Sequence, residues 1–511
     1  MLAKIQSYAL AGLDGVPVTV ETDISRGLPA YDMVGLPDAA VKESKERVRS
    51  AIRNSAFEFP AHKITVNFAP ASVKKEGSAF DLPVAISLLK ASGQLETDLS
   101  GVVILGELAL GGEIRPVSGV LPVLISARDK GYTKFVVPKD NAKEAGFIRG
   151  VEVYAPANLK EAVDHLSGLT PLTPIPASEF TAPNAERNHN DLAFVKGQPI
   201  ARRALEVAVA GGHNILFVGP PGSGKTMLAR ALPSVMPDMA FDEALEITKI
   251  HSVAGTLGDN GIVNERPFRS PHHTATTVSL CGGGNKTVHP GEISLAHGGV
   301  LFLDELPEYK RSSLEALRQP LEDGVITISR AGGTVTYPAS FMLCASMNPC
   351  PCGNYGSKKR RCVCTPNDIR KYRAKISGPL LDRIDIQVEV DGVEYDQLVG
   401  KAEEESSAAV KVRADGARKI QRQRFNGGKV KTNAEMGAKE LEAYCALNAE
   451  CEGILKEAFE TLKLSARARS RILKVARTIA DLDYSENINA EHLYEAISYR
   501  TYATESLDDL N

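Results

Sequence analysis

Residues Gly219 to Thr226 read GPPGSGKT and fit the pattern GxxxxGK[ST], whose glycines let backbone N–H groups converge on phosphate oxygens. A chain of ordinary composition and this size matches the pattern by chance only about 0.02 times. Gly219, Pro220, Pro221, Gly222, Ser223, Gly224, Lys225 and Thr226 are therefore read as a phosphate cradle for ATP. Lys225 is expected to contact the β- and γ-phosphates, and the Thr226 hydroxyl to hold Mg²⁺. Further on, Val300 to Glu305 (VLFLDE) is an apolar run ending in two carboxylates. Alone it is a buried strand with two solvated acids. After a phosphate loop, Asp304 would steady the magnesium through its water shell and Glu305 would polarise the attacking water. Such a hydrolase also needs a polar group to place the water and a cation to neutralise charge growing on the γ-phosphate. Asn348, after FMLCASM, offers the first, and Arg383 in LLDRID the second. Arg383 closely precedes a strand and is expected to serve a neighbouring subunit's nucleotide, which implies a ring. The competing reading is an intrachain ion pair with Asp382 or Asp385.

Cys350-Pro-Cys352 and Cys362-Val-Cys364 supply four thiolates, the number a closed tetrahedral zinc site requires. The CxC spacing is tighter than the usual Cx2C, so chance clustering or a redox-sensitive thiol loop competes with Zn²⁺. A metal there would fold a loop that otherwise lacks a core and would present Lys358 to Arg361 (KKRR) to DNA or a partner. Cys281, Cys344, Cys445 and Cys451 show no paired spacing and are read as packing residues.

Phosphate chemistry of this kind demands a strand, a tight loop and a helix in that order. Asn214 to Val218 (NILFV) reads as the strand and Thr226 to Leu232 as the helix, with Ile200 to Ala210 a helix before them. Further buried strands are expected at Val300 to Leu303, Phe341 to Ser346 and Ile384 to Val390, which makes a parallel α/β domain. Upstream, strand-like runs (Lys63 to Phe68, Val102 to Leu105) alternate with helical patterns (Asp38 to Asn54, Leu82 to Ala91), as in an α+β domain. Downstream, Ala-, Leu-, Glu- and Arg-rich stretches such as Glu440 to Thr461 and Arg467 to Asp481 predict helices. The resulting division is 1–168, a Pro-rich linker at 169–190, an ATPase core at 191–393 and a helical lid at 394–511.

The length of 511 residues agrees with about three domains. No window approaches the ~18 uninterrupted apolar residues of a membrane span. The start, MLAKIQSYALAGLDG, lacks the pattern of a secretory signal, and eight Cys are too few for a disulfide scaffold. The cytoplasm is the expected compartment, with no membrane partner. A net charge of -3 neither demands nor forbids nucleic acid, so local patches must decide. Gly255 to Gly291 carries Arg266, Arg269, His272, His273 and Lys286 and reads as an insertion. Gly324 to Tyr337 alternates around Arg330 to Gly333 and reads as a hairpin. Lys411 to Lys431 holds eight basic residues against the single acid Asp415, which suits a solvated face, a phosphate track or a contact with an acidic neighbour. With few aromatics and no Trp, sequence-independent gripping of the DNA backbone is favoured over base stacking.

In this order, GPPGSGKT, VLFLDE, SMNP and LLDRID resemble the AAA+ ATPases, specifically the magnesium-chelatase-like group. GGHNILFVGPPGSGKT, RPFRSPHHT, HPGEISLAHGGVLFLDEL and NPCPCG resemble the bacterial YifB/ComM proteins, and the resemblance spans essentially the whole chain. It implies a homohexameric motor that promotes branch migration of single-stranded or branched DNA during natural transformation. In rings of this clade the two insertions resemble pore-lining loops, making Arg330 and Lys286 candidate phosphate contacts. Arg467 in LSARA matches the sensor-2 arginine, acting within its own subunit or on a neighbour's nucleotide according to how the lid is connected.

Lys74 to Leu89 and Gly106 to Leu124 resemble the proteolytic domain of Lon proteases. The match puts Ala79 at the nucleophile position, Ser78 one residue early and Leu121 where the activating Lys belongs. A Lon-like fold without peptidase activity is the expectation. Two other functions compete with a DNA motor. A chelatase-type motor remodelling a protein partner for metal insertion is opposed by the N-terminal domain and the cysteine loop, and an ATP-dependent Lon-like protease by Ala79 and Leu121.

Overall fold

The computed structural model describes residues 2–181, 190–284, 288–330, 333–357, 360–392, 404–428, 430–462 and 464–500. Alternating apolar residues at the N-terminus (Ile5, Ala9, Val18, Val20) turn inward from β1 (Leu2–Ala11) and β2 (Asp14–Ser25), which pair antiparallel from Leu2 against Asp23 to Ala11 against Asp14. Among the described residues β3 (Ala30–Val34), β4 (Lys63–Ala69), β5 (Val102–Ile104), β6 (Lys134–Val136) and β7 (Glu152–Tyr154) complete a mixed sheet in the order β3-β4-β2-β1-β5-β6-β7. Three helices, α1 (Ala39–Asn54), α2 (Asp81–Ala91) and α3 (Val120–Asp129), bury apolar side chains against it. This is the α+β domain expected from the sequence.

The central domain is built from runs that are apolar on both faces, the pattern of parallel strands covered by helices on each side. Its strands are β8 (Ile215–Val218), β9 (Phe268–Arg269), β10 (Val300–Leu303), β13 (Met342–Met347) and β14 (Ile386–Glu389), ordered β9-β10-β13-β8-β14 and parallel throughout. Between β10 and β13 lies a hairpin, β11 (Val325–Arg330) and β12 (Gly333–Pro338), in register from Val325 against Pro338 to Arg330 against Gly333. The first strand, β8, thus sits between the fourth and the last, which opens a crevice at the C-terminal ends of β8 and β13. Three helices serve it: α4 (Pro199–Gly211), α5 (Lys225–Val235) and α6 (Phe241–Ala254).

The segment Gly255 to Gly291 is not wholly an insertion. Phe268 and Arg269 form the edge strand of the core sheet, with Phe268 opposite Val300 and stacked on Phe302 at 5.9 Å. A two-residue strand has no periodicity to read.

The C-terminal helices are α7 (Ser407–Phe425), α8 (Ala438–Tyr444), α9 (Ala449–Thr461), α10 (Ala466–Leu482) and α11 (Ala490–Ser498). The stretch Glu440 to Thr461 is broken because Asn448 caps α9, accepting from the Cys451 N–H at 2.8 Å. Val410, Ile472 and Ile479 share one core with Leu205 and Ile215, so the helical domain packs directly on the ATPase core. This packing also explains the basic run at Lys411 to Lys431. Lys411 pairs with Asp238, Arg413 with Glu206 and Glu405, and Arg424 with Asp481, while Arg418 donates to the Val209 carbonyl at 3.0 Å. Lys419, Arg422 and Lys431 are exposed, and Lys429 lies outside the described residues. The paired members thus take roles other than the three offered for the run: Lys411, Arg413 and Arg418 tie the lid to the ATPase core, and Arg424 ties two helices within the lid.

The first two domains touch at several places. Ser252 of α6 donates to Glu144 at 2.7 Å and accepts, through its carbonyl, the Gly119 N–H at 3.0 Å. The β1–β2 turn reaches the hairpin, where a methyl added at Gly12 would lie 3.1 Å from Val335. Among the described residues no helix is long and apolar enough to cross a membrane.

Candidate nucleotide site and cysteine cluster

At the end of β8 the chain turns into the loop Gly219 to Gly224. A Cβ at Gly219 would stand 2.2 Å from the Val390 carbonyl, so only glycine lets β8 and β14 approach there. Gly222 and Gly224 hold φ of +78° and +91° and face open space, and the Ser223 hydroxyl is buried without a protein partner. These are the features of a cradle shaped for an external anion. Lys225, 8% exposed, curls over the loop and donates to the Gly219 and Pro220 carbonyls at 2.7 and 2.8 Å and to Asn348 Oδ1 at 3.4 Å. Burial pulls its pKa down to about 8, against the upward pull of Asp304 and Glu305. An ammonium whose direct partners are neutral acceptors gains most from a phosphate.

The two acids sit at the end of β10. Asp304 accepts from Thr226 Oγ1 at 3.2 Å and from the Ser346 hydroxyl. Glu305 takes a left-handed conformation, φ +53°, which costs a non-glycine residue ~1–2 kcal/mol and re-aims its side chain away from the line of the strand. Its carboxylate is 56% exposed and lies 3.4 Å from His273 Nδ1, and His273 packs on His272 with ring centroids 4.0 Å apart. The donor set suits ATP with Mg²⁺: a hydroxyl and a carboxylate in contact for a hard cation, and an ammonium beside a glycine loop for phosphate.

Lys225, Thr226, Asp304, Glu305 and Asn348 thus meet at one crevice. Arg383 and Arg467 are elsewhere. Arg383 is buried, ion-paired to Glu322 and donating to the Pro379 carbonyl at 2.7 Å. The pairing with Asp382 or Asp385 is not made. Asp385 is taken by His213 at 3.1 Å and Arg471 at 3.0 Å, which overcome its burial and hold its pKa at about 2. Arg467 is exposed in the first turn of α10 and, with Arg383 and Arg471, helps lower the Glu322 pKa. Both arginines therefore gather around Glu322, within their own chain.

Ser346 and Gln198 at the site escaped sequence reading, and His273 was read only as part of the insertion. Ser346 was signalled by being the one hydroxyl in MLCASM, and His273 by the doubled histidine. Gln198, left-handed at φ +61° just before Pro199, donates to the Ser223 carbonyl at 3.4 Å and to that of Asp391. The Gln-Pro step at the start of α4 was its only trace.

The four cysteine sulfurs lie within 4.8 Å of one another. The Cys352 thiol has its pKa lowered to about 6, chiefly by backbone N–H groups of Val363 and Asn354. Cys344, Cys445 and Cys451 are buried packing residues, as expected, and Cys281 is half-buried.

In the first domain the Ser78 hydroxyl donates to Glu107, and Leu121 is buried. Lys75 is also buried, its ammonium bound to the Gly35 and Pro70 carbonyls, and Lys74 pairs with Glu76. No lysine contacts Ser78 among the described residues. Of the insertion's basic residues, Arg266 donates to the Pro237 and Gly298 carbonyls, both at 2.6 Å, and Arg269 pairs with Glu292 at 2.6 Å. Both serve the fold. Lys286, Lys358 and Lys359 lie outside the described residues.

A parallel sheet whose first strand feeds a phosphate loop, and whose neighbours bring an Asp-Glu pair and an Asn to it, defines an AAA+ ATPase of the magnesium-chelatase-like class. Family models agree: "Magnesium chelatase, subunit ChlI" matches residues 191–398, its C-terminal part matches 404–500, and "Subunit ChlI of Mg-chelatase" matches 20–141. The chain belongs to the YifB/ComM family. It is 45% identical to YifB of Escherichia coli (strain K12) and 44% identical to the competence protein ComM of Haemophilus influenzae, covering 98% of this chain and 97% of each relative. Lon protease 2 of Bacillus subtilis is 26% identical over 24% of this chain and 22% of that protein. Because a chelatase-subunit model reaches residues 20–141, the N-terminal domain does not by itself separate this chain from chelatase subunits.

Proposed function

We propose that this ATPase works as a homohexameric ring that moves single-stranded or branched DNA, independent of sequence, and so drives branch migration in recombination or natural transformation. The observation that carries the reading is the joint exit of two hairpins from the ATPase core. The short ladder pairing Gly282 with Pro290 packs on Ile328 of β11, where a Cβ at Gly282 would lie 2.9 Å from the Ile328 Cδ1. The Tyr337 hydroxyl of β12 donates to the Val288 carbonyl at 2.7 Å. The two insertions are thus packed on one another, and in a ring six such pairs would line a central channel, where the sequence supplies Lys286 and Arg330 as phosphate contacts. The β1–β2 turn beside β12 suits the N-terminal domain to a collar at the channel mouth. The name of the H. influenzae relative, a competence protein, agrees with a role in DNA uptake.

Within one subunit, Lys225 would leave its two loop carbonyls for the β- and γ-phosphates, while the loop N–H groups hold the remaining oxygens. Thr226 and Asp304 would hold Mg²⁺, which supplies charge neutralisation on the phosphates. Glu305 orients the attacking water and draws its proton away, and Asn348 hydrogen-bonds at the γ-phosphate end. Arg383 and Arg467 would serve the neighbouring subunit's nucleotide once Arg383 leaves Glu322. The four cysteines would hold a structural Zn²⁺. ATP hydrolysis measured with and without single-stranded DNA and a four-way junction tests the reading. DNA-stimulated turnover is expected, and an active ATPase indifferent to every DNA would overturn the DNA assignment.

A further inference from the structure

The cysteine cluster is the one group of potential metal ligands outside the crevice among the described residues. Its sulfurs are separated by 3.4 Å (Cys350 to Cys352), 3.7 Å (Cys350 to Cys362) and 3.6 Å (Cys352 to Cys362). A disulfide needs ~2.05 Å, whereas a tetrahedron with Zn–S bonds of ~2.3 Å has edges of about 3.8 Å. The Tyr355 N–H points to Cys350 Sγ at 3.3 Å and the Cys352 N–H to Cys364 Sγ at 3.4 Å, the backbone donors that thiolate ligands require. Between Met347 and Pro366 the described residues form neither helix nor strand, so little but the cluster closes this loop.

The loop is also built against the nucleotide cradle at both of its ends. It begins at Asn348, whose side chain touches Lys225, and at Gly353, φ +78°, it presses on the phosphate loop so closely that a Cβ would lie 2.6 Å from Pro221. It ends at Thr365, which caps the helix Pro366–Arg373 by accepting from the Asp368 N–H at 3.2 Å. That helix returns Tyr372 to the neighbourhood of the Asn348 backbone; burial pushes the phenol's pKa up, and that backbone draws it down. The staple therefore sits between the residue that faces the γ-phosphate end and the loop that cradles the phosphates.

We propose that Cys350, Cys352, Cys362 and Cys364 bind one Zn²⁺ per chain and that this metal is a structural part of the nucleotide pocket, holding Asn348 and Pro221 in register. The inference rests on reading Gly219 to Thr226 as the ATP site. Asn348 and Pro221 are positioning targets of the staple; the metal touches no reacting atom. Loss of the metal slackens both contacts and weakens nucleotide binding without removing any phosphate ligand.

The test uses the full chain purified without added metal. Metal analysis should find one zinc per chain, and cobalt exchanged into the site should show the charge-transfer and d–d absorption of tetrahedral thiolate coordination. Cys362→Ser with Cys364→Ser should lose zinc and bind a fluorescent ATP analogue about tenfold more weakly. Gly353→Ala, which leaves all four thiols in place, should keep the zinc yet show a similar loss of nucleotide affinity, and it serves if the double variant fails to fold. Lys225→Ala should keep the zinc and lose nucleotide. Absence of both zinc and the cobalt bands in wild type, or disulfides in their place, would overturn the metal site. Wild-type nucleotide affinity in a zinc-bearing Gly353→Ala protein would overturn the coupling. Undiminished binding by Lys225→Ala would instead overturn the ATP-site reading and leave the metal site standing.

Discussion

Lys225 holds its positive charge against two carbonyls of its own loop, and burial keeps its pKa near 8. Lys225→Ala should therefore abolish nucleotide binding, whereas Glu305→Gln should bind ATP and fail to hydrolyse it, as nucleotide binding and single-turnover assays can separate. The same shift has a pH signature. Below pH 8 Lys225 is charged in free and bound protein alike, so affinity is flat. Above pH 8 the free lysine is neutral, binding must take up a proton, and affinity should fall by up to about tenfold per pH unit. Titration calorimetry between pH 7 and 9.5 in buffers of different ionisation enthalpy would detect that proton. The phosphate loop was legible because its chemistry is packed into eight consecutive residues. Contacts such as His273 with Glu305 and Arg383 with Glu322 join residues 32 and 61 positions apart, and nothing local in the sequence marks them.

At the scale of elements, largely apolar runs of three to six residues were readable as strands, whereas the half-buried β1 and β2 and the two-residue β9 were not. β10 spans the four residues its apolar run marked, while β9 is two residues long and is held by pairing to β10 and by Phe302. The basic stretch in α7 misled because charge was read without partners. Arg424 and Arg477 both reach the wholly buried Asp481, which also accepts from Asn433 Nδ2 at 2.8 Å. Removing the carboxylate leaves the buried Arg477 and the partly buried Arg424 with neutral acceptors only. Asp481→Ala should lower unfolding stability by about 3–5 kcal/mol in a denaturant titration, with the ATP crevice itself untouched. A loss within the ordinary range of a surface substitution would show that this network does not hold the helices of the lid to one another.

For the whole molecule, Arg383 is ion-paired to Glu322 and Arg467 adds its charge nearby, and the proposed ring would have both serve the site of a second copy of the chain. Arg383→Ala and Glu305→Gln proteins, each inactive alone, should regain part of the ATPase when mixed, because some junctions then combine an intact Glu305 with an intact Arg383. Verified mixed rings without recovery would count against a shared site. The most direct test of the account is movement of a labelled three- or four-strand DNA junction under ATP. Wild type should migrate the branch, and Glu305→Gln should bind the junction and leave it in place. A vigorous ATPase that never shifts the branch, or migration that continues in Glu305→Gln, would contradict a DNA motor driven from this site.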